Sequence, residues 1–153
     1  MIDLNDIESA RRRIRDRILP TPLAPSSSLS NICGVPIYLK LEHHQTTGSF
    51  KLRGAFNAIL QLSQDERVRG VVAASTGNHG MALSFAANTC GVKATICMSN
   101  LVPENKVSEI RRLGADVRIV GAWCRRSIIR RSSQVKERSA WRSSRRCRMS
   151  RRC

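Results

Sequence analysis

Apolar residues recur with two periods along the first 121 positions, and stretches of the two kinds take turns. In "DLNDIESARRRIRDRIL", Ile7, Ala10, Ile14 and Ile18 fall at helical spacing, with Asp3 or Asn5 available as a cap. "LPTPLAPSSSLS" breaks the pattern and reads as a Pro/Ser connection. "VPIYLKLE" is a strand ending near Glu42, and "KLRGAFNAILQLS" returns to helical spacing through Leu52, Ala55, Ile59 and Leu62. "GVVAAS" is a short, wholly apolar strand of the buried kind. "NHGMALSFAANTCG" is a helix closed by Gly91, and "KATICM" is a strand. "PENKVSEIRRLG" has Pro103 at a first helical position and stops at Gly114; "DVRIVG" is a last strand. Strands alternating with helices predict an α/β unit over residues 36–120, built on a parallel sheet covered by helices.

Composition changes this picture at one place. The chain has 153 residues and a formal net charge of +16, which alone would suggest nucleic acid. Residues 1–121 carry 15 Lys and Arg against 10 Asp and Glu, a net of only +5. Residues 122–153 carry 12 against the single Glu137. This tail, "AWCRRSIIRRSSQVKERSAWRSSRRCRMSRRC", has no Gly, Pro, Asp or Phe and shows no helical or strand period. It can be read as a basic nucleic-acid arm, as a solvated disordered terminus, or as an out-of-frame translation; the abrupt change at Gly121–Trp123 favours the last. Trp123 and Trp141 could stack on bases, but no nucleic-acid-binding signature accompanies them. A non-enzymatic basic-tail protein is therefore the minority alternative. No stretch is long and apolar enough to span a bilayer, the N-terminus lacks a signal-peptide core, and six cysteines show neither CxxC nor metal-ligand spacing. A cytoplasmic protein without a metal is expected. Cys33, Cys90 and Cys97 read as small buried hydrophobes.

In a parallel α/β sheet, ligands bind at the carboxyl ends of strands, where loops meet helix N-termini. Two motifs fall there. "HHQTTGSFK" follows the strand ending near Glu42 and opens the next helix. "STGNHG", residues 75–80, follows "GVVAA" and brings Ser75, Thr76, Asn78 and the N–H groups around Gly77 to a helix start, a ready site for a carboxylate or phosphate. Each residue also has a plain reading. A lysine at a helix start is usually solvated, Phe50 alone would be core, and His79 alone would be a structural helix-start residue. His43 and His44 read as loop residues, and Arg11–Arg13 as a solvated helix face.

Taken together, "TGSFKLRGA" and "STGNHG", in this order and about 25 residues apart, resemble the fold-type II pyridoxal-phosphate enzymes of the serine/threonine dehydratase family. "LVPENKVSEIRRLGADVRIVG" is similar to that family's next helix–strand unit, so the resemblance runs through residues 1–121. "LEHHQTTGSFKLRGAFNA" with "VPENK" looks closest to the dehydratases of hydroxyectoine utilisation. The resemblance implies a tryptophan-synthase-β-like fold with helices on both faces of the sheet, here incomplete. It implies that residues 1–50 are an N-terminal arm and the start of a large domain, and that 51–121 are a small α/β domain. Lys51 matches the lysine whose amine bonds the cofactor aldehyde and then takes the substrate's Cα proton. Phe50 matches the residue packed on the cofactor ring, and Asn78 the one that hydrogen-bonds its 3-oxygen. Ser75, Thr76, Gly77, Asn78 and His79 match the substrate-carboxylate loop. Thr76 also matches the hydroxyl that serves racemases as a second base, so racemase activity stays open.

The implied reaction converts a hydroxy amino acid of threonine, serine or 3-hydroxyaspartate type to a 2-oxo acid and ammonia, in a homo-oligomer. The family's glycine-rich phosphate loop and its pyridine-nitrogen partner lie beyond position 121, where this sequence has no further Gly. The chain as given is thus expected to be a truncated or frameshifted product that binds pyridoxal phosphate weakly and turns over no substrate.

Overall fold

A computed structural model describes residues 1–120 and 129–131. The basic tail expected from residue 122 lies outside the described residues, apart from 129–131.

Helix α1 spans Leu4–Ile14. Asp3 caps it: its side chain accepts from the Asp6 N–H while the Asp6 side chain accepts from the Asp3 N–H. A 3-10 turn, Arg15–Arg17, follows. The Pro/Ser connection is more ordered than its composition suggests. It holds strand β1, Leu23–Pro25, and helix α2, Ser27–Cys33, which ends at Gly34 in the left-handed region. Strand β2 is short, Tyr38–Lys40, and pairs antiparallel with β1, Leu23 opposite Lys40 and Pro25 opposite Tyr38. It therefore does not join the parallel sheet expected over 36–120. Its three residues are all exposed, and the hydrogen bonds of β1 hold it instead.

The rest follows the hydrophobic pattern closely. Helix α3 is Lys51–Leu60, with Leu52, Ala55, Phe56 and Ile59 buried. The expected continuation to residue 63 is replaced by a new helix, α4, Gln64–Arg69, started by a Ser63–Glu66 capping box. Strand β3 is Val71–Ala74, α5 is Asn78–Thr89, β4 is Ala94–Met98, α6 is Glu104–Arg112 and β5 is Asp116–Ile119. Strands β3, β4 and β5 pair in parallel, with Ala73 level with Ile96 and Ile96 with Val117. At Gly70 (φ 76°) a Cβ would lie 2.5 Å from the Lys93 carbonyl oxygen, which the Val71 N–H needs as acceptor; only glycine fits there.

A fourth strand, β6, Ile129–Arg131, pairs antiparallel with β3 on its open edge. No strand period marks this segment in the sequence. The nine residues between Ile119 and Ile129 are fewer than the dozen or so that a parallel crossover requires, so an antiparallel return is the geometry open to it.

Helices α5 and α6 lie over the sheet face that carries Val71, Ala73, Ala94, Ile96 and Met98, all nearly inaccessible. At Gly80 of α5 a Cβ would meet Ile110 Cδ1 at 3.1 Å and Ile96 Cγ2 at 3.4 Å, so the missing side chain is what lets α5, α6 and β4 close up. Helix α3 packs on α5, with Phe56 edge-on to Phe85 at 6.1 Å, and α1 packs on α3 through Ile14. Each fully buried Leu, Ile or Phe contributes about 1.5–3 kcal/mol. Cys90 and Cys97 are half-buried, but Cys33 is exposed, contrary to its reading as a small core residue; it ends a helix that has no buried face. Among the described residues, no helix is long and apolar enough to cross a membrane.

Candidate active site

Lys51 is the first residue of α3, at the end of the loop that leaves β2. Two polar contacts fix that loop. Glu42 takes Arg53 on both carboxylate oxygens, Nε at 2.9 Å and Nη2 at 2.7 Å, and accepts a third hydrogen bond from the Thr21 hydroxyl. The Arg53 hydrogen bonds, aided by Thr21 and opposed by burial, hold the Glu42 carboxyl down at about 2. Gln45 is buried, and its amide grips the Leu19 backbone from both sides, accepting from the N–H at 2.9 Å and donating to the C=O at 3.0 Å. Gly48, with φ 68°, then lets the chain turn toward the helix.

The Lys51 side chain is exposed and forms no ion pair or hydrogen bond among the described residues. Its Nζ stands 4.7 Å from the centroid of the Phe50 ring. Phe50 is 58% exposed, so it is not the core residue that its type alone would suggest.

The second loop begins where β3 ends. Ser75 is buried and its N–H reaches across to the Cys97 carbonyl at 3.2 Å. Its hydroxyl oxygen accepts from the Gly80 N–H at 2.9 Å and the Gly77 N–H at 3.4 Å, which folds the loop over the start of α5. That leaves the Ser75 proton free to donate. Thr76 and Asn78 are exposed. Gly77 is the N-cap and supplies no side chain, so the N–H groups of Asn78 and His79 find no acceptor among the described residues. Burial and, secondarily, the nearby Lys51 charge push the His79 imidazole below its ordinary value, which keeps it neutral at pH 7. Helices α3 and α5 pack on each other, with Lys51 in the first turn of one and His79 in the first turn of the other.

The residues that the sequence assigns to cofactor and substrate thus fall on two segments, Phe50 and Lys51 at the start of α3 and Ser75–His79 at the start of α5, and these two helices pack on each other. Sequence reasoning missed two more. Thr47 and Ser49 are buried, and their hydroxyls, like His79 Nε2, have no hydrogen-bond partner. The alternating polar residues of "QTTGSF" were the available signal. It also missed the Glu42–Arg53 pair beneath the loop. Among the described residues, no three His, Cys, Asp or Glu side chains gather as a metal-ligand set.

The residues present fit a pyridoxal cofactor: an unpaired amine, an open ring face, and polar atoms left without partners at a helix start. Comparison with known proteins gives the class. The family model for pyridoxal-phosphate dependent enzymes matches residues 14–143, and the chain belongs to that family. A Sinorhizobium fredii protein named "Putative threonine dehydratase" is 65% identical over 121 residues, covering 79% of this chain and 36% of the relative. The L-threonine ammonia-lyase of Thermotoga maritima is 50% identical, again over 79% of this chain and 30% of its own length. Among solved structures, serine racemase from Dictyostelium discoideum superposes with a TM-score of 0.76 at 37% identity, covering 93% of this chain and 45% of that one. The chain spans about a third of the length of these curated relatives.

Proposed function

We propose that residues 1–120 supply the catalytic lysine and the substrate-carboxylate loop of a pyridoxal-phosphate-dependent ammonia-lyase. Its substrate is a hydroxy amino acid of the threonine, serine or 3-hydroxyaspartate type, and its products are a 2-oxo acid and ammonia. The observation that carries this reading is Lys51: an exposed amine without ion pair or hydrogen bond among the described residues, lying against an open aromatic face on a helix packed against α5, whose first N–H groups are open.

Bound pyridoxal phosphate supplies an aldehyde for covalent attachment and a conjugated ring that takes up the electron pair left when Cα loses its proton. Phe50 and Asn78 would hold and orient that ring. Lys51 Nζ would be its point of attachment, and the same nitrogen would be the group that takes the Cα proton. The free N–H groups of Asn78 and His79, the Ser75 and Thr76 hydroxyls and the small Gly77 receive the substrate carboxylate at the positive end of α5. A neutral His79 does this without placing a second full charge beside Lys51.

Thr76 supports a second reading. Its hydroxyl is exposed at the mouth of the loop, where it suits a base on the face opposite Lys51 and hence a racemase. The likeness to a serine racemase points the same way. Within the lyase reading, "LEHHQTTGSFKLRGAFNA" and "VPENK" support a dehydratase of the hydroxyectoine-utilisation kind, and the proposal includes a cytoplasmic homo-oligomer. Residues 1–50 then serve as an arm and 51–121 as the small domain.

The test is a chimera in which residues 1–120 replace the matching segment of the 65%-identical relative. It should show the visible absorbance of attached cofactor and release 2-oxo acid from L-threonine, L-serine or 3-hydroxyaspartate. Lys51→Ala and Lys51→Arg should abolish both, since a guanidinium stays protonated and cannot attack an aldehyde. A band that survives Lys51→Ala sinks the assignment. The 153-residue chain by itself should bind the cofactor weakly and release no 2-oxo acid.

A further inference from the structure

Burial along residues 45–50 alternates. Gln45, Thr47 and Ser49 are at most 7% exposed, whereas Thr46, Gly48 and Phe50 face outward. The segment is a tight turn, with the Gly48 N–H on the Gln45 carbonyl at 2.7 Å, and inward-facing positions are ordinarily apolar. Here all three are polar. Gln45 is accounted for by its grip on Leu19. Thr47 and Ser49 are not: neither hydroxyl has a partner, and a buried polar group left unpaired costs roughly 1–3 kcal/mol. Such a loss needs a reason.

The one other buried side-chain nitrogen or oxygen without a partner among the described residues is His79 Nε2. All three orphans therefore sit at the openings of α3 and α5, two helices that pack directly on each other. Neither helix is capped by its own N-cap side chain; at α5 the Ser75 hydroxyl takes the Gly80 N–H and leaves those of Asn78 and His79 open. No Asp or Glu occurs in residues 43–51 or 75–80. Two hydroxyls, an imidazole and free backbone N–H groups, with an ammonium near and no acid among them, form a set of donors. The ligand that completes such a set is an anion with more than one acceptor oxygen.

We propose that Thr47 and Ser49 are the second jaw of the carboxylate clamp, gripping the substrate's carboxylate from the loop opposite residues 75–79. This rests on the carboxylate role proposed above for residues 75–79. Held from both loops, the carboxylate loses its freedom to rotate about the α5 start, and the Cα–H bond is turned toward Lys51. The two hydroxyls then act as substrate-binding residues, with their bonding left open for the ligand.

The experiment uses the 153-residue chain with malonate as probe and sodium chloride at matched ionic strength as control, read by backbone amide NMR. Malonate should move the amides of Gly48 and Ser49 together with those of Gly77 and Asn78. Thr47→Val and Ser49→Ala, both nearly isosteric, should each weaken malonate about fivefold, the worth of one net hydrogen bond. Their Tm should stay level or rise, because an orphaned hydroxyl contributes nothing to the free fold. If malonate moves only residues 75–79 and both variants bind it like the parent, the second jaw is refuted and the carboxylate loop stands. A fall in Tm of several degrees in either variant would mean that the hydroxyls hold the fold together, through a buried water for example, and would also overturn the proposal. If malonate moves neither loop, the carboxylate role of residues 75–79 fails along with it.

Discussion

The first fifty residues and the seventy that follow are held together by different forces. Of the buried apolar side chains, all but Ile14 lie between Leu52 and Ala115. In residues 1–50 the other buried side chains are polar: Thr21, Gln45, Thr47 and Ser49. Meanwhile Leu4, Ile7, Leu23, Ile32 and Tyr38 are more than half exposed. The later stretch is a packed core of two helices on a parallel sheet, with α3 against them. The earlier one is tied down by hydrogen bonds: the Asp3 box, the Gln45 grip on Leu19, the Glu42–Arg53–Thr21 cluster and three-residue strands. Lys51 stands at the seam. Its backbone belongs to a helix anchored in the core, and the loop before it belongs to the polar network. Lys51 is thus held from one side by apolar packing and from the other by hydrogen bonds.

The sharpest way to break this comparison is to make one substitution in both regions. Leu83→Ala, in the core and fully buried, should destabilise the chain by roughly 3–4 kcal/mol through lost burial and the cavity left behind. Leu23→Ala, 62% exposed in β1, should change stability by less than about 0.5 kcal/mol. Denaturant melts of the two variants decide it. A loss at Leu23 comparable with that at Leu83 would mean that the arm has an apolar core of its own.

A smaller effect should come from the polar network. Glu42→Gln removes the charge that grips Arg53 and should cost about 2 kcal/mol. Hydrogen exchange should quicken in residues 19–50 and little elsewhere. The pH dependence has a definite sign. The Glu42 carboxyl is held at about 2 in the fold against an ordinary 4.5, so its contribution is complete above pH 4.5 and is lost as pH falls toward 2. Between those limits the parent chain should lose more stability than Glu42→Gln does. Equal acid sensitivity in the two would show that the Glu42–Arg53 pair does not hold the arm.

The smallest effect tests whether the arm is a set of local fastenings. Asp3→Ala should cost about 1 kcal/mol and fray α1 alone, seen as lost helicity and faster exchange at residues 4–8. Loosening that spread to β1 and β2 would show the arm to be one cooperative unit.

What the sequence by itself determined lies mostly in the packed region. Leu52, Ala55 and Ile59 announce a helix by spacing and are buried on it; "VVAA" and "ATICM" announce strands and are strands. Burial repeats with the period of the element, so the pattern is written locally. The motif around Asn78 was legible for a related reason, since ligands gather at the ends of parallel strands and the end of β3 could be placed; the motif around Lys51 was legible through its resemblance alone, because β2 lies outside the parallel sheet. Tertiary structure decided the rest. Nothing in "LAP" or "YLK" names the other as partner, because three-residue strands carry too little pattern to specify a distant pairing. Helix α2 has no buried face and therefore no apolar period. The grip of Glu42 on Arg53, and the inward turn of Thr47 and Ser49, depend on which chain segments meet. A hydroxyl reads the same in sequence whether it faces water or lies buried with nothing to bond; only the folded chain decides which.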